Sequence, residues 1–242
     1  MSMETEGTMN TVLLSTAVSI GIFHTAIGVD HYIPFAAMSK SNNWSFRKTM
    51  LVVLICGAGH VSASIILGVC GILLGAQISS LVGIQDMREE LAKWFLISFG
   101  LVYMIWGIRK AVKNKPHRHI TADGSEIWHD HDSETSDDEP VNEHVEKKSS
   151  RSFWPLFILF VLGPCEPLIP LLMYPAAEAG TVAVATVATV YSVCTIVSMI
   201  VCTAIVLKGI NMIPMKKVER YAHALAGFAV LMCGLAIQFL GI

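Results

Sequence analysis

The run HTAIGVDHYIPF at 24–35 puts two histidines, an aspartate and a proline inside an apolar segment that reaches from about 11 to 38. A segment of that length crosses a bilayer, which needs about 20 apolar residues in a helix. A charged side chain inside such a span costs about 3 kcal/mol and marks a functional group by default. Pro34 has no N–H, so the carbonyl four residues earlier, that of Asp30, loses its helical partner. The chain uses this device twice. LGPCEPLIP at 162–170 places Glu166 in a second apolar segment, with Pro170 again four residues on. There Pro164 and Pro167 free two further carbonyls, those of Phe160 and Gly163. Broken backbone in a bilayer survives only where it faces protein or a water-filled cavity. Transporters use such discontinuous helices to hold cations near the midplane.

The rest of the chain fits this frame. Of 242 residues, 53% are hydrophobic and 15% charged, against about 25% charged in an average soluble domain. The charges are concentrated as well: residues 111–152 hold ten acidic and six basic side chains. A soluble fold is excluded on these grounds. A net charge of −2 without a basic domain also argues against a nucleic-acid partner. Six segments are apolar enough to span: roughly 11–38, 48–75, 93–110, 153–175, 181–207 and 219–241. The stretch 76–92, with Asp86, Arg88, Glu89 and Glu90, reads as an interfacial or extramembrane turn. The start, MSMETEG, is acidic and lacks the basic region of a secretory signal, so the first segment is expected to stay as a helix.

The connections after the first, third and fifth segments carry fifteen of the seventeen Lys and Arg. The positive-inside rule puts those connections in the cytoplasm and both termini outside. Three spans precede the long loop and three follow it. An odd number per half gives the halves opposite topology, the condition for an inverted repeat. The expected fold is all-α: an integral membrane protein of six transmembrane helices in a 3+3 inverted repeat. Its parts are a first half at 1–110, a disordered cytoplasmic loop at 111–152 and a second half at 153–242.

Several residue types in this frame suit metal chemistry. His24 and His31 share one helix face, two turns apart. A straight helix would separate them by about 10 Å, too far to share an ion unless the helix is broken or the two serve sequential sites. His60, in ICGAGHVSAS, is flanked by Gly57, Gly59, Ser62 and Ser64, which let another backbone approach closely. Cys165 adjoins Glu166 between two prolines. Imidazole, thiolate and carboxylate together suit nickel, cobalt, zinc or copper rather than magnesium or calcium. Five of the nine histidines fall in the loop: His117, His119, His129, His131 and His144. Mixed with carboxylates, they compose a second metal-binding stretch. Plainer readings stand beside these. His60 is a packing histidine, the prolines are kinks, and the loop is a solvated linker. For His223, beside Tyr221 near an interface, the packing role is the better one. The six cysteines all lie in spans and form no CxxC, so no disulfide framework is expected. Cys70, Cys194, Cys202 and Cys233 read as small packing residues.

His24 and the pair Asp30-His31, followed by Gly59-His60, resemble the nickel/cobalt permeases and related urease-accessory-type membrane proteins. Those carry H-x4-D-H in an early helix, where this chain has H-x5-D-H. The His-rich loop is similar to that of the nickel/cobalt efflux permeases. GPCEPLIP, in turn, resembles the Pro-Cys-x-x-Pro element of the transmembrane thiol–disulfide carriers of cytochrome c maturation. Those are six-span inverted repeats with one working cysteine in each half. Here Cys165 is present in the second half, but Asp30 or His31 stands where the first-half cysteine would be.

The resemblances imply a secondary transporter, not an enzyme, with nickel or cobalt as favoured substrate and no permanently bound cofactor. His24, Asp30, His31, His60 and Glu166 would form the permeation site, with Cys165 as a further ligand. Besides the bilayer and the ion, the partners expected are a second copy or a cytoplasmic metallochaperone. Only neutral imidazole ligates, so affinity should fall below about pH 6.5. Two alternatives stay open: a membrane thiol–disulfide carrier, and a metal-binding chaperone or sensor that moves nothing.

Overall fold

The computed structural model describes residues 3–73, 78–113, 117–120, 126–129, 153–163, 167–172, 180–212 and 219–240. Its membrane part is all-helical. Helix α1 (Met3–Ile27) ends in a 3-10 turn, Val29–His31, which leads into α2 (Ile33–Ser41). Helices α3 (Phe46–Leu73) and α4 (Ile78–Lys113) complete the first half. After the loop come α5 (Phe153–Leu162), α6 (Gly180–Met212), a 3-10 turn at Glu219–Tyr221, and α7 (Ala222–Leu240). Among the described residues four helices are long and apolar enough to cross a bilayer. The pair Thr11–Ile27 and Val29–Ser41, bent by 84°, makes a fifth if it is one span. Helix α5 is apolar but shorter, ten residues.

Why the first span breaks is readable from its residues. Gly28 and Pro34 bracket the 3-10 turn. Pro34 sits in the first turn of α2, where its missing N–H costs nothing. The break therefore lies before Pro34 and not within a continuous helix that Pro34 kinks. The second break follows Leu162, and helical backbone resumes at 168. Pro167 stands at that restart, its carbonyl accepting the Leu171 N–H at 3.2 Å, and Pro170 is exposed within the resumed helix.

One expectation needs correction here. Residues 78–92 are not a turn: they form the first part of α4, one helix of 36 residues. Their charges are satisfied in place. Lys93 bridges Glu89 and Glu90, the second at 3.3 Å, and Arg88 turns inward to α5. Of the loop, expected to be disordered, residues 117–120 and 126–129 are described as two short antiparallel strands, β1 (His117–Ile120) and β2 (Glu126–His129), with His117 opposite His129; 114–116, 121–125 and 130–152 lie outside the described residues.

The helices pack by close approach. A lipid-embedded helix gains little from hydrophobicity alone, so small residues that admit dispersion contact set the interfaces. The most extensive pair is α4 with α7, which run antiparallel. A Cβ at Gly100 would fall on the backbone of Leu231, one at Gly107 on that of Ala224, and one at Gly227 on that of Met104. Helix α1 packs on α6, and α3 on both α5 and α6. Phe35, Met38, Leu156 and Phe160 lie in one buried cluster, and Leu168, Leu172 and Tyr191 in another. Ile66, Val102, Ile205 and Phe239 face outward. Cys56 and Cys233 are buried, whereas Cys70 is exposed and does not pack as expected.

The ends of α2, α4 and α6 gather at one end of the bundle with the starts of α3 and α7. Lys40 donates to Asn211 Oδ1 at 3.0 Å. Asn42 Nδ2 donates to Tyr103 Oη at 3.3 Å. The His223 Nδ1–H donates to Tyr103 Oη at 2.8 Å while its Nε2 accepts from Lys110 at 3.4 Å. That bonding fits a packing role for His223.

Candidate functional site

The break between α1 and α2 brings together what a straight helix would hold apart. His24 lies in the last turn of α1 and His31 at the end of the 3-10 turn. Their ring centroids are 5.0 Å apart. His60, from the middle of α3, adds a third ring 5.3 Å from that of His31. Phe160 of α5 closes the cluster, 6.5 Å from His31 and 6.0 Å from His60.

Hydrogen bonds fix two of the three imidazoles. The His31 Nδ1–H donates to Asp30 Oδ1 at 2.9 Å. The His60 Nδ1–H donates to the Phe160 carbonyl at 3.1 Å. In the neutral ring each bond assigns the proton to Nδ1 and leaves Nε2 with a lone pair. The Nε2 atoms of His24, His31 and His60 are all buried and, among the described residues, without a hydrogen-bond partner. Buried polar atoms are normally satisfied, because an unpaired one costs about 1–3 kcal/mol. Here three such atoms lie in one cluster of rings. The carboxylate behind His31 and the carbonyl behind His60 are the outer partners that orient metal-ligating histidines. The Asp30 side chain keeps 35% of its surface exposed, against 5% for His31. As they stand, the rings meet edge to face, and among the described residues no three His, Cys, Asp or Glu side chains converge on one point.

Gly28 makes the fold-back sterically feasible. A Cβ there would lie 2.6 Å from His31 Nδ1 and 3.0 Å from Asp30 Oδ1. Around His60 it is side chains, not the expected backbone, that come close: Gly59 faces the Phe157 and Val161 side chains of α5.

Two of the three carbonyls expected to be free in the second break, those of Phe160 and Gly163, are claimed. Phe160 O takes His60, and Arg88 Nη2 donates to Val161 O at 2.9 Å and to Gly163 O at 3.4 Å. Pro164, Cys165 and Glu166 lie outside the described residues, as do His131 and His144. His117, His119 and His129 stand on the two loop strands, away from this cluster in the chain. Arg88 and Gly28 are the residues of this region that sequence reasoning missed. For Arg88 a signal existed: Glu89 and Lys93 are four apart, a pairing that argues helix over turn.

A family model described as the cytochrome c biogenesis protein transmembrane region matches residues 21–236. The chain belongs to that family. Membership bears out the resemblance carried by GPCEPLIP, and the match takes in both broken helices. It lends nothing to a nickel/cobalt permease in particular. No curated protein and no solved structure matches the chain. Within the cytochrome c biogenesis family, then, this chain places imidazoles and a carboxylate at its first break. All five cysteines among the described residues are free, and none stands in that turn.

Proposed function

We propose that the chain is a secondary transporter of a divalent transition-metal ion, nickel or cobalt first, built on the membrane fold of the cytochrome c biogenesis family. The observation that carries this reading is the trio of unpartnered Nε2 atoms beside the Asp30 carboxylate. Imidazole lone pairs replace part of the ion's hydration shell, and Asp30, with Glu166 from the second half, compensates its charge. The rings must rotate to converge, so binding and conformational change are coupled, as alternating access requires.

Six spans in a 3+3 inverted repeat fit this mechanism. The helix pairing supports the repeat. If α1–α2, α3 and α4 correspond to α5 with its continuation, α6 and α7, then α1 on α6 mirrors α5 on α3. The antiparallel α4–α7 pair is then its own mirror image, joining glycines seven apart in each helix: Gly100 and Gly107 with Gly227 and Gly234. The gathered cationic ends of α2, α4 and α6 face the cytoplasm in this reading. The loop histidines there collect or sense the ion.

Family membership favours a second reading more directly than it favours metal transport: a membrane thiol–disulfide carrier working through Cys165. One experiment separates the two. Purified full-length protein in proteoliposomes is assayed for flux of nickel, cobalt, zinc and copper, and in parallel for mixed disulfides with a thioredoxin-like partner. Transport predicts flux of one ion, lowered about ten- to hundredfold or more by Asp30→Ala and little changed by Cys165→Ser. Flux that Asp30→Ala leaves intact would sink the site. No flux, with a disulfide that Cys165→Ser abolishes, would establish the carrier instead.

A further inference from the structure

Away from the histidine cluster, at the end where α2, α3 and α6 meet, a cavity of about 230 Å³ opens to the surface. Lys40 and Lys208 line it, with Asn43, Asn211, Trp44 and Leu207 among their neighbours. We infer that this cavity binds an anionic phosphate group, from a phospholipid headgroup or free in solution.

The chemistry of the wall is one-sided. Two ammonium groups face one small space, and among the described residues no carboxylate lines it. Neither lysine forms an ion pair among the described residues. Lys40 is held by Asn211 at 3.0 Å, which ties the end of α2 to the end of α6 and steadies the mouth. The floor is a built turn. The Trp44 N–H bonds to Ser39 O at 2.9 Å, and Asn43 takes a left-handed φ of 51°. That turn folds Trp44 into the core, where it is 9% exposed, with Lys48 Nζ 5.4 Å from its ring centroid. Two like charges at one cavity repel each other unless an anion lies between them. Phosphate meets ammonium groups and amide donors with short charge-assisted hydrogen bonds. Among the lining residues Phe46 is an exposed apolar side chain, so an acyl chain could run from the cavity along the bundle. Basic pockets between spans on the cytoplasmic side are where anionic headgroups bind.

The test uses the full-length protein in detergent. Melting temperature and retained lipid by native mass spectrometry are read with phosphatidylglycerol, phosphatidylcholine or inorganic phosphate added. Wild type should be stabilised by phosphatidylglycerol well beyond phosphatidylcholine. Lys40→Gln with Lys208→Gln should weaken that binding by about tenfold or more, while Lys113→Gln, at the same end but outside the cavity, keeps it. Lys208→Gln alone serves if the double variant folds poorly, because Lys208 is exposed and no hydrogen bond to a described residue holds it. A matching effect of inorganic phosphate, lost in the same variants, would assign the site to the free anion. Equal response to both lipids with none to phosphate, or full binding by the Lys208→Gln protein, would overturn the proposal.

Discussion

The two broken helices start from similar sequence and end in opposite chemistry. The first break closes on its own side chains. Gly28 lets the chain fold back, and Asp30 and His31 bond each other within the turn. The second break is closed from outside, by His60 of α3 and Arg88 of α4 on the carbonyls of Phe160, Val161 and Gly163. Among the described residues, one break thus gathers side chains, and the other presents backbone carbonyls that neighbouring helices satisfy. His60 belongs to both, with Nδ1 on the second break and Nε2 toward the first. Proline-broken helices of similar sequence can thus be closed in two ways, from within the turn or by neighbouring helices.

The largest effect should come from the scaffold. Arg88→Met removes a charged donor from two carbonyls at the end of a broken helix. Hydrogen bonds to charged groups are worth about 1.5–3 kcal/mol, so the variant should lose about that much stability. Thermal unfolding in detergent reads it, with Arg88→Lys intermediate. A variant that melts with wild type would mean the second break needs no outside closure, and the contrast between the breaks would fall.

Gly28→Ala tests the other side. Its Cβ meets His31 Nδ1 at 2.6 Å, so the Asp30–His31 pair must shift. A misplaced outer partner costs about ten- to hundredfold in metal affinity. The half-saturation concentration for flux should rise by about tenfold, with melting nearly unchanged. Gly83→Ala is the control, since a Cβ there meets nothing within 4 Å. Equal behaviour of the two variants would show that the turn does not set the site.

Much of this was legible in the residues, and for physical reasons. Proline removes a donor at a known offset, so Pro164 and Pro167 named the carbonyls of Phe160 and Gly163 before any coordinates did. The seven-residue spacing of His24 and His31 stated its own condition, a broken helix, and the 84° bend meets it. What could not be read was partnership between distant elements. Arg88 looked like a surface charge because its charge density resembles a loop, and only the fold brings it to residue 161. The α4–α7 glycines escaped for a related reason. Glycine seven residues apart in one helix means little until the facing helix shows the same spacing. The six-span count depends on treating each broken helix as one span, and helix length alone does not establish that.

The smallest effect separates the two jobs of His60. Gln at this position can still donate its amide N–H to Phe160 O, but it offers no imidazole lone pair toward His31. Leu offers neither. His60→Gln should therefore stay near wild-type stability and lose affinity for the ion, while His60→Leu loses the affinity and about 1 kcal/mol or more of stability besides. Measuring both variants for melting and for ion binding puts a number on each face of the ring. Should Gln and Leu melt alike, the bond to Phe160 contributes nothing, and His60 belongs to the first break alone. Should both bind the ion as wild type does, His60 belongs to the second break, and the site reduces to His24, Asp30 and His31 with whatever the second half supplies.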